Sequence, residues 1–423
     1  MNRPVDGKPA NKRILYVIGT LDLGGAELHL KLIAPRLKRL GWEPTIYCLG
    51  RRGAQADEVQ AAGVDVIGPP LPMAPIWRFI LLRPIRLAAS ALGLIAQLIG
   101  QRPQIAHFFL PASYAVGGPL ALLARTPNRV MSRRSLNLYQ QKLPLVARLE
   151  RWLHKRMNAI LGNSGAVVRE LIELEGCPPN RVGLIHNGID TKAFSGQPGK
   201  ADIRDQLGID PESFVAIIVA NLIPYKGHAD LLNALSRVRD RLPQPWSLLC
   251  VGRDDGILLH LEDLARANGI AAQVHFMGER RDIPRLLAAS DAGVLCSHQE
   301  GFSNAILEGM AAGLPMVVTD VGGNGEAVLD GETGFVVRPR DPEALGEAIL
   351  KLAADPALRA KQGKKAHQRV EAHFSIQTCV AKYDRLYSAL LAGEAVGDLP
   401  GIRAADYGIE RPICAESAAS STL

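Results

Sequence analysis

The run Ala292-Gly293-Val294-Leu295-Cys296-Ser297-His298-Gln299-Glu300-Gly301-Phe302-Ser303-Asn304-Ala305-Ile306-Leu307-Glu308-Gly309-Met310-Ala311-Ala312 carries a fold unit and a candidate site together. Its first five residues are apolar and give way to small polar ones, the pattern of a short buried strand. From Ala305 the pattern is helical, with Ser303 placed as N-cap. Glu300 then lies in the loop above the carboxyl end of a strand, and Glu308 on the second turn of the following helix. Ligands of open α/β sheets bind at that edge, and the free N–H groups and dipole of a helix start favour phosphate. A carboxylate on either side of such a phosphate can accept hydrogen bonds from hydroxyls, and a sugar joined through a diphosphate to a ribose has that layout. Taken alone, the two carboxylates read better as a solvated loop Glu and a Glu favoured by the helix dipole, and only company elsewhere in the chain changes that.

Working outward, the strand–loop–helix unit recurs along most of the chain. A strand at Arg13–Ile18 passes through a Gly-bearing loop into a helix over 26–40. Further strands are predicted at 44–48, 64–67, Ile105–Phe109, 129–132, Ala159–Gly162 and 182–185, with helical patterns between most of them. The pattern restarts with a strand at Phe214–Val219, a helix at 229–241, a strand at 247–251, a helix at 261–268 and a strand at 274–277. Beyond the 292–312 unit come strands at 315–319 and Gly334–Val337 and a helix at Pro342–Ala354. Alternation at this spacing predicts the α/β class with doubly wound parallel sheets. The reading is a tail at 1–12, Rossmann-like domains at 13–187 and 188–374, a helix at 375–393, and a tail at 394–423. That last segment is poor in apolar residues and is expected to be mostly disordered.

A chain of 423 residues exceeds a single core and suits two domains. With 47% apolar and 22% charged residues it has the composition of a soluble globular protein. The formal net charge of +7 suits an anionic partner. Nucleic acid is set aside, because aromatics are only 5% and no reading helix or RNA motif occurs. Six scattered cysteines, with no C-x-x-C, argue against a zinc site and a disulfide framework. Residues 1–13 are polar and run straight into a strand, which reads as no signal peptide and predicts a cytoplasmic protein. Segment 75–100 is strongly apolar but interrupted by Arg78, Arg83, Pro84 and Arg86, and its uninterrupted apolar part, 87–99, is too short to span a bilayer. It reads as an amphipathic helix packed on the first sheet, as a face lying on an anionic membrane, or as both.

Three more segments fall at loops above strand ends. Gly24-Gly25-Ala26-Glu27 follows the first strand, where backbone can approach an anion closely. Asn221-Leu222-Ile223-Pro224-Tyr225-Lys226-Gly227-His228 follows the first strand of the second half and offers Lys226 to a phosphate. Asp320-Val321-Gly322-Gly323-Asn324-Gly325-Glu326 is a third Gly-rich turn. Together with His186-Asn187-Gly188-Ile189-Asp190 and Gly313-Leu314-Pro315, and in this order from about residue 12 to 391, these motifs resemble the family-4 retaining glycosyltransferases.

The resemblance implies the GT-B architecture, two Rossmann-like domains facing across a cleft, an N-terminal acceptor domain and a C-terminal donor domain, with the helix at 375–393 returning to the first. It implies a UDP- or GDP-linked sugar donor, a glycan or lipid-linked acceptor, and neither a metal nor another cofactor. Residue by residue, Glu308 binds the ribose hydroxyls and Glu300 contacts the transferred sugar. Backbone around Gly301, Phe302, Ser303 and Asn304 cradles the diphosphate, and Lys226 neutralises charge on the leaving group. Gly24 and Gly25 admit donor and acceptor. The usual Arg five residues before the phosphate Lys is replaced by Asn221. Either Arg253 or Arg280 supplies that charge, or Asn221 suffices. The usual His-x-His is reduced to His107-Phe108-Phe109, so His107 is either catalytic or a locally bonded strand-end His. Arg133, Arg134 and Ser135, at the next strand end, are candidates to face an anionic acceptor.

The expected function is transfer of a sugar in surface polysaccharide or glycolipid synthesis, at the cytoplasmic face of the membrane with peripheral contact to anionic lipid. The alternatives are a sugar-nucleotide 2-epimerase and a non-catalytic partner subunit. A dehydrogenase ranks last, because the Gly fingerprint after the first strand is missing.

Overall fold

The computed structural model describes residues 12–22, 24–70, 83–137, 140 and 143–408. They divide into two compact units, one made of the chain up to His186 together with the chain from Cys379 onward, the other of Asn187–Thr378.

In the first unit the elements run β1 (Arg13–Ile18), α1 (Gly25–Arg39), β2 (Glu43–Cys48), α2 (Ala56–Ala61), β3 (Asp65–Ile67), α3 (Arg83–Gln101), β4 (Ile105–Phe109), α4 (Pro111–Leu123), β5 (Asn128–Arg133), α5 (Pro144–His154), β6 (Ala159–Gly162), α6 (Gly165–Glu173) and β7 (Val182–Leu184). The strands form one parallel sheet ordered β3-β2-β1-β4-β5-β6-β7. Successive strand side chains alternate between faces. Leu15, Val17, Ala106, Phe108, Met131 and Ile160 therefore meet Leu94 and Leu98 of α3, Ala121 of α4 and Leu153 of α5 in one apolar cluster. Both faces of the sheet are covered, which is why β4 is buried along its whole length.

The second unit contains α7 (Lys200–Gln206), β8 (Phe214–Val219), α8 (His228–Val238), β9 (Trp246–Val251), α9 (Leu258–Ala267), β10 (Val274–Gly278), α10 (Ile283–Ala288), β11 (Ala292–Leu295), α11 (Asn304–Ala311), β12 (Met316–Thr319), α12 (Asn324–Ala327), β13 (Gly334–Val337), α13 (Pro342–Ala354) and α14 (Pro356–His373). Its parallel sheet has the order β10-β9-β8-β11-β12-β13. Ala216, Ile218, Val294 and Val317 face α8, α9 and α13. Val215, Ile217, Leu295 and Val318 face α11 and α14. The α/β class and the parallel doubly wound sheets are as the sequence pattern predicts.

The helix α15 (Ile376–Ala392) ends the second unit and, from Cys379, belongs to the first. There Tyr383 bonds His29 at 3.1 Å, Asp384 accepts from Trp42 Nε1 at 2.7 Å, and Tyr387 reaches Tyr16 at 3.2 Å.

Three features differ from the sequence pattern or extend it. The polar run 356–373 carries no clear apolar period, yet it forms α14, whose inward stripe is Gln362, Gly363, Ala366 and Val370. Residues 394–408, within the tail expected to be disordered, are packed: Val396, Leu399, Ile402 and Ala404 are buried, and Leu184 N donates to Ile402 O at 2.7 Å. A few well-spaced apolar residues and one backbone bond beside β7 are enough to hold them; residues 409–423 lie outside the described residues. Of segment 75–100, residues 75–82 also lie outside them, and the remainder is α3. Among the described residues no helix is long and apolar enough to cross a membrane.

Arg133 requires a correction. Its side chain is 1% exposed, with Nη1 and Nη2 donating to Glu175 at 2.8 and 3.0 Å and Nη2 to Glu150 at 3.2 Å. His154 Nε2 also meets Glu175, at 2.9 Å. Burial alone would raise the Glu175 carboxyl, but the bond from His154 and the charge of Arg133 outweigh it and hold it below the usual range. Arg133 is therefore an internal ion-pair member and does not face an acceptor. Arg133→Ala strands two facing buried carboxylates and is expected to destabilise the protein by about 3–5 kcal/mol, read as a lower urea midpoint. Arg133→Lys should recover only part of this, since an ammonium cannot reproduce the two-pronged bond to Glu175.

Candidate functional site

In each sheet the strand order reverses at one point, between β1 and β4 in the first unit and between β8 and β11 in the second. Loops at the carboxyl ends of strands diverge there and leave a crevice. Of the sequence-predicted residues, Asn221, Lys226, Glu300 and Glu308 follow β8 and β11, and Gly24, Gly25 and His107 follow β1 or lie on β4, whereas Arg133, Arg134 and Ser135 lie at the end of β5 and Arg253 follows β9.

In the second unit, β8 runs into a 3-10 turn, Pro224–Lys226, closed by Gly227 at φ +77°. A Cβ on Gly227 would fall 2.1 Å from the Cys296 carbonyl oxygen, so glycine is needed both for the backbone angle and for the approach. That approach seats Lys226 against the end of β11, and its Nζ donates to Glu300 Oε1 at 2.6 Å. Ser297, the residue after Cys296, donates its hydroxyl to the same oxygen at 2.7 Å. Lys226 and Glu300 side chains are only 18% and 12% exposed, so the pair is shielded while remaining open to solvent. On the other side Gly322, at φ +56°, has its Cβ position 2.1 Å from the Glu300 carbonyl, and Gly323 N donates to Gly301 O at 2.8 Å. Three strand-end loops are thus pressed together around Glu300.

The loop 301–303 leads into α11. Ser303 occupies the N-cap, but its hydroxyl makes no bond back to the helix, so the leading N–H groups are not capped by it. The Phe302 ring is buried against Phe374 at 5.3 Å between centroids and anchors the loop from below. Asn187 Nδ2 donates to Phe302 O at 3.0 Å and to Asn304 Oδ1 at 2.7 Å. Glu308 is half-buried one turn further on, and burial raises its carboxyl to about 7. A carboxyl desolvated and shifted in this way, beside such a loop, marks a functional-site candidate.

Asn221 lies at the mouth of β8, where its Oδ1 accepts from Arg253 N at 3.2 Å. The Arg253 guanidinium is exposed and paired with Asp255 at 2.8 Å, and Arg280 is paired with Asp282 at 2.7 Å. Both candidate replacements for the missing cation thus carry a carboxylate two residues on. Sequence reasoning did not single out Ser297, Asn187 or the pair His298–Asp230. His298 Nε2 meets Asp230 Oδ2 at 2.7 Å, and its backbone N donates to Tyr225 O, also at 2.7 Å. Asn187 and His298 sit inside motifs already quoted, whereas Asp230 lies on α8 with no local signal.

In the first unit Gly24 caps α1 in extended conformation, and a Cβ there would lie 2.3 Å from a Glu27 carboxylate oxygen. Gly25 opens the helix. The Glu27 carboxyl curls over its own helix start; burial raises its pKa, and the nearby Arg134 charge opposes that. Arg134 and Ser135 follow β5 and are half-buried, and burial lowers the Arg134 pKa while Tyr383, Cys379 and Glu27 oppose it. Leu110, just past β4, holds φ +72°, a strained angle for a branched side chain. His107 requires the second correction. It is fully buried, with Nδ1 at 2.7 Å from Tyr387 Oη and Nε2 at 2.8 Å from Ser132 Oγ, and is stacked on Phe109. Burial, reinforced by the Arg134 charge, holds its pKa well below the usual range. With both nitrogens engaged and no exposed surface, it is a neutral packing residue and not a catalytic one.

Comparison with known proteins accords with this arrangement. Residues 199–369 match the family described as Glycosyl transferases group 1, and residues 23–193 match Glycosyltransferase Family 4. A D-inositol 3-phosphate glycosyltransferase of Rhodococcus erythropolis is 30% identical over 382 residues, covering 84% of each chain. A glycogen synthase of Mycobacterium tuberculosis is 32% identical over 248 residues, 58% of each. Among solved structures, Anabaena HepE in complex with UDP and glucose superposes with a TM-score of 0.78 at 23% identity, over 89% of this chain and 100% of that one. WaaG, a glycosyltransferase involved in lipopolysaccharide biosynthesis, gives 0.68 at 19% identity, over 88% and 99%. At these identities the two structures bear on the fold. The chain belongs to the family-4 glycosyltransferases and has their GT-B fold of two Rossmann-like α/β domains.

Proposed function

We propose that this glycosyltransferase moves a sugar from a UDP- or GDP-linked donor, with retention at the anomeric carbon and without a metal, to a glycan or lipid-linked acceptor in surface polysaccharide or glycolipid synthesis. The observation that carries the reading is the Lys226–Glu300–Ser297 cluster beside the raised Glu308 carboxyl, at the reversal point of the second sheet. A donor laid along this loop presents its diphosphate to Lys226 and to the backbone around Phe302, Ser303 and Asn304 at the start of α11, with Gly301 leaving room for the approach. Its ribose hydroxyls donate to Glu308, and its sugar hydroxyls to Glu300. Lys226 then supplies fixed positive charge where the leaving diphosphate gains negative charge, which lowers the barrier without a metal ion.

Glu300 holds Lys226 in place before the donor arrives. Asn221 orients the Arg253 loop through its backbone, so Arg253 can leave Asp255 for a donor phosphate. Gly24, Gly25, Arg134 and Ser135 line the acceptor side. The basic chain suits an anionic, lipid-linked acceptor, which supports the surface-glycan reading. On this reading the enzyme works in the cytoplasm, in peripheral contact with the inner membrane face.

Nucleotide release from a panel of UDP- and GDP-sugars, with and without membrane lipid extract, tests the reading. Release that needs one donor plus lipid, and disappears in Glu308→Ala, is expected. Conversion of a donor to its epimer without any acceptor would overturn it. Lys226→Ala should lower kcat about 100- to 1,000-fold with a smaller change in KM, because the lost charge acts mainly on the leaving group.

Glu308 adds a pH dependence. Its folded pKa of about 7 lies above the ordinary 4.5, so the folded state holds the proton more tightly between those values. Stability is greatest below that window and falls as pH rises through it. Donor affinity moves the other way, rising as the carboxyl ionises and can accept from the ribose. Glu308→Gln should therefore have a higher Tm than wild type at pH ~8 but not near pH ~4.5. Its donor Kd should be weaker and flat across pH ~6–8, where the wild-type value improves. Differential scanning fluorimetry and isothermal titration over this range check both.

A further inference from the structure

One surface unused by the chemistry is the outer side of the helix layer α3–α4–α5. Seven of the thirteen large apolar side chains that stay exposed among the described residues lie on these three helices, among them Leu92 and Ile99 of α3, Leu123 of α4, and Leu145 and Trp152 of α5. On α5 the division is sharp. Ala147, Glu150, Leu153 and His154 are buried, whereas Leu145, Arg148 and Trp152, at spacings of three and four, form an outward stripe with Arg151 beside it. Leu145 is 78% exposed and Trp152 46%, with the Arg156 guanidinium 3.8 Å from the Trp152 ring centre.

The charge on this stretch is one-sided. The chain holds 42 Asp and Glu, yet residues 66–149 contain none, against ten Lys and Arg, of which Arg133 is sealed inside while Arg102, Arg125 and Arg148 are exposed. The next carboxylate, Glu150, is buried on Arg133 and shows nothing outward. Exposed apolar side chains accompanied by charges of one sign, all positive, are the pattern of an interfacial surface. Trp and Leu settle at the boundary of headgroups and acyl chains, while Arg reaches lipid phosphate.

We infer that the outer face of α3–α4–α5 docks on a bilayer containing anionic phospholipid, with Leu145 and Trp152 of α5 at the contact. A second copy of this face is a poor occupant, because two cationic surfaces would repel. Nucleic acid would leave Leu145 and Ile99 without apolar company. Docking needs neither donor nor turnover, and rests on the proposed function only for the acceptor being lipid-linked.

The test is sedimentation of the full chain with vesicles of phosphatidylcholine alone or mixed with phosphatidylglycerol, without substrates. Binding to the mixed vesicles, weakened by added salt, is expected, with little binding to the neutral ones. The double change Leu145→Glu and Trp152→Glu should reduce partitioning at least about tenfold. Leu259→Glu, on the second unit and 75% exposed, should leave it unchanged. Arg148→Gln with Arg151→Gln should remove part of the salt-sensitive binding. Unchanged thermal unfolding and nucleotide binding show that each variant is folded. Absence of binding to mixed vesicles, full binding by the Leu145/Trp152 variant, or a dimer in light scattering that Leu145→Glu dissociates would each overturn the inference. Nucleotide release with a soluble acceptor or lipid extract is scored separately, so loss of docking and loss of the transfer reading are distinguishable.

Discussion

The approach of one backbone to another at the reversal point of the second sheet governs the rest of the site. Gly227 lies so close to the Cys296 carbonyl that any β-carbon would collide with it, and Gly322 stands in the same relation to the Glu300 carbonyl. These two contacts draw the loops after β8, β11 and β12 into one cluster. Without them Lys226 and Glu300, 74 residues apart in sequence, would not share a hydrogen bond. Glycine is needed at both places for two independent reasons, a left-handed backbone angle and the lack of space.

Around that constraint the second unit separates anchoring from chemistry. Phe302 turns inward, and Asn187 holds the backbone of the same loop from outside, so the loop is fixed from both sides. What stays open is polar: the start of α11, which the Ser303 hydroxyl does not cap, the shielded Lys226–Glu300 pair, and Glu308, whose desolvated carboxyl costs stability when ionised. Strain and desolvation of this kind gather where a ligand is to be received. The first unit shows the contrasting case. His107 and Arg133 have the residue types of a catalytic base and an anion receptor, but each has polar atoms engaged within the core. They hold β4 and β5 to α15, α5 and the chain after α6.

Much of this is legible in the sequence because it is local. The period of apolar residues locates the strands of both sheets to within about a residue at each end, and motif order points to the family. β12 and β13, each four residues long, are recognisable from Val-rich runs between turn residues. Two kinds of feature are not legible. Helix α14 and the packed segment 394–408 carry too little apolar pattern of their own, and both depend on neighbours supplied by the fold. Gly363, for example, sits mid-helix because the Gly313 carbonyl lies where its β-carbon would be. The other kind is the state of polar side chains: nothing near His107 in sequence announces Tyr387, 280 residues away.

The sequence by itself therefore determined the α/β class, the order of elements, the loops that carry Lys226, Glu300 and Glu308, and the family. Each of these follows from residue periodicity, turn chemistry and short spacings, which act within a few residues. Only the tertiary structure decided which strands are neighbours, and so where the sheets reverse. It also decided that Glu308 is desolvated, that Lys226 and Glu300 are paired, and that His107 and Arg133 are sealed inside. Those properties depend on how much water reaches a group and which distant side chain meets it, quantities that arise only once the sheets and helices have packed.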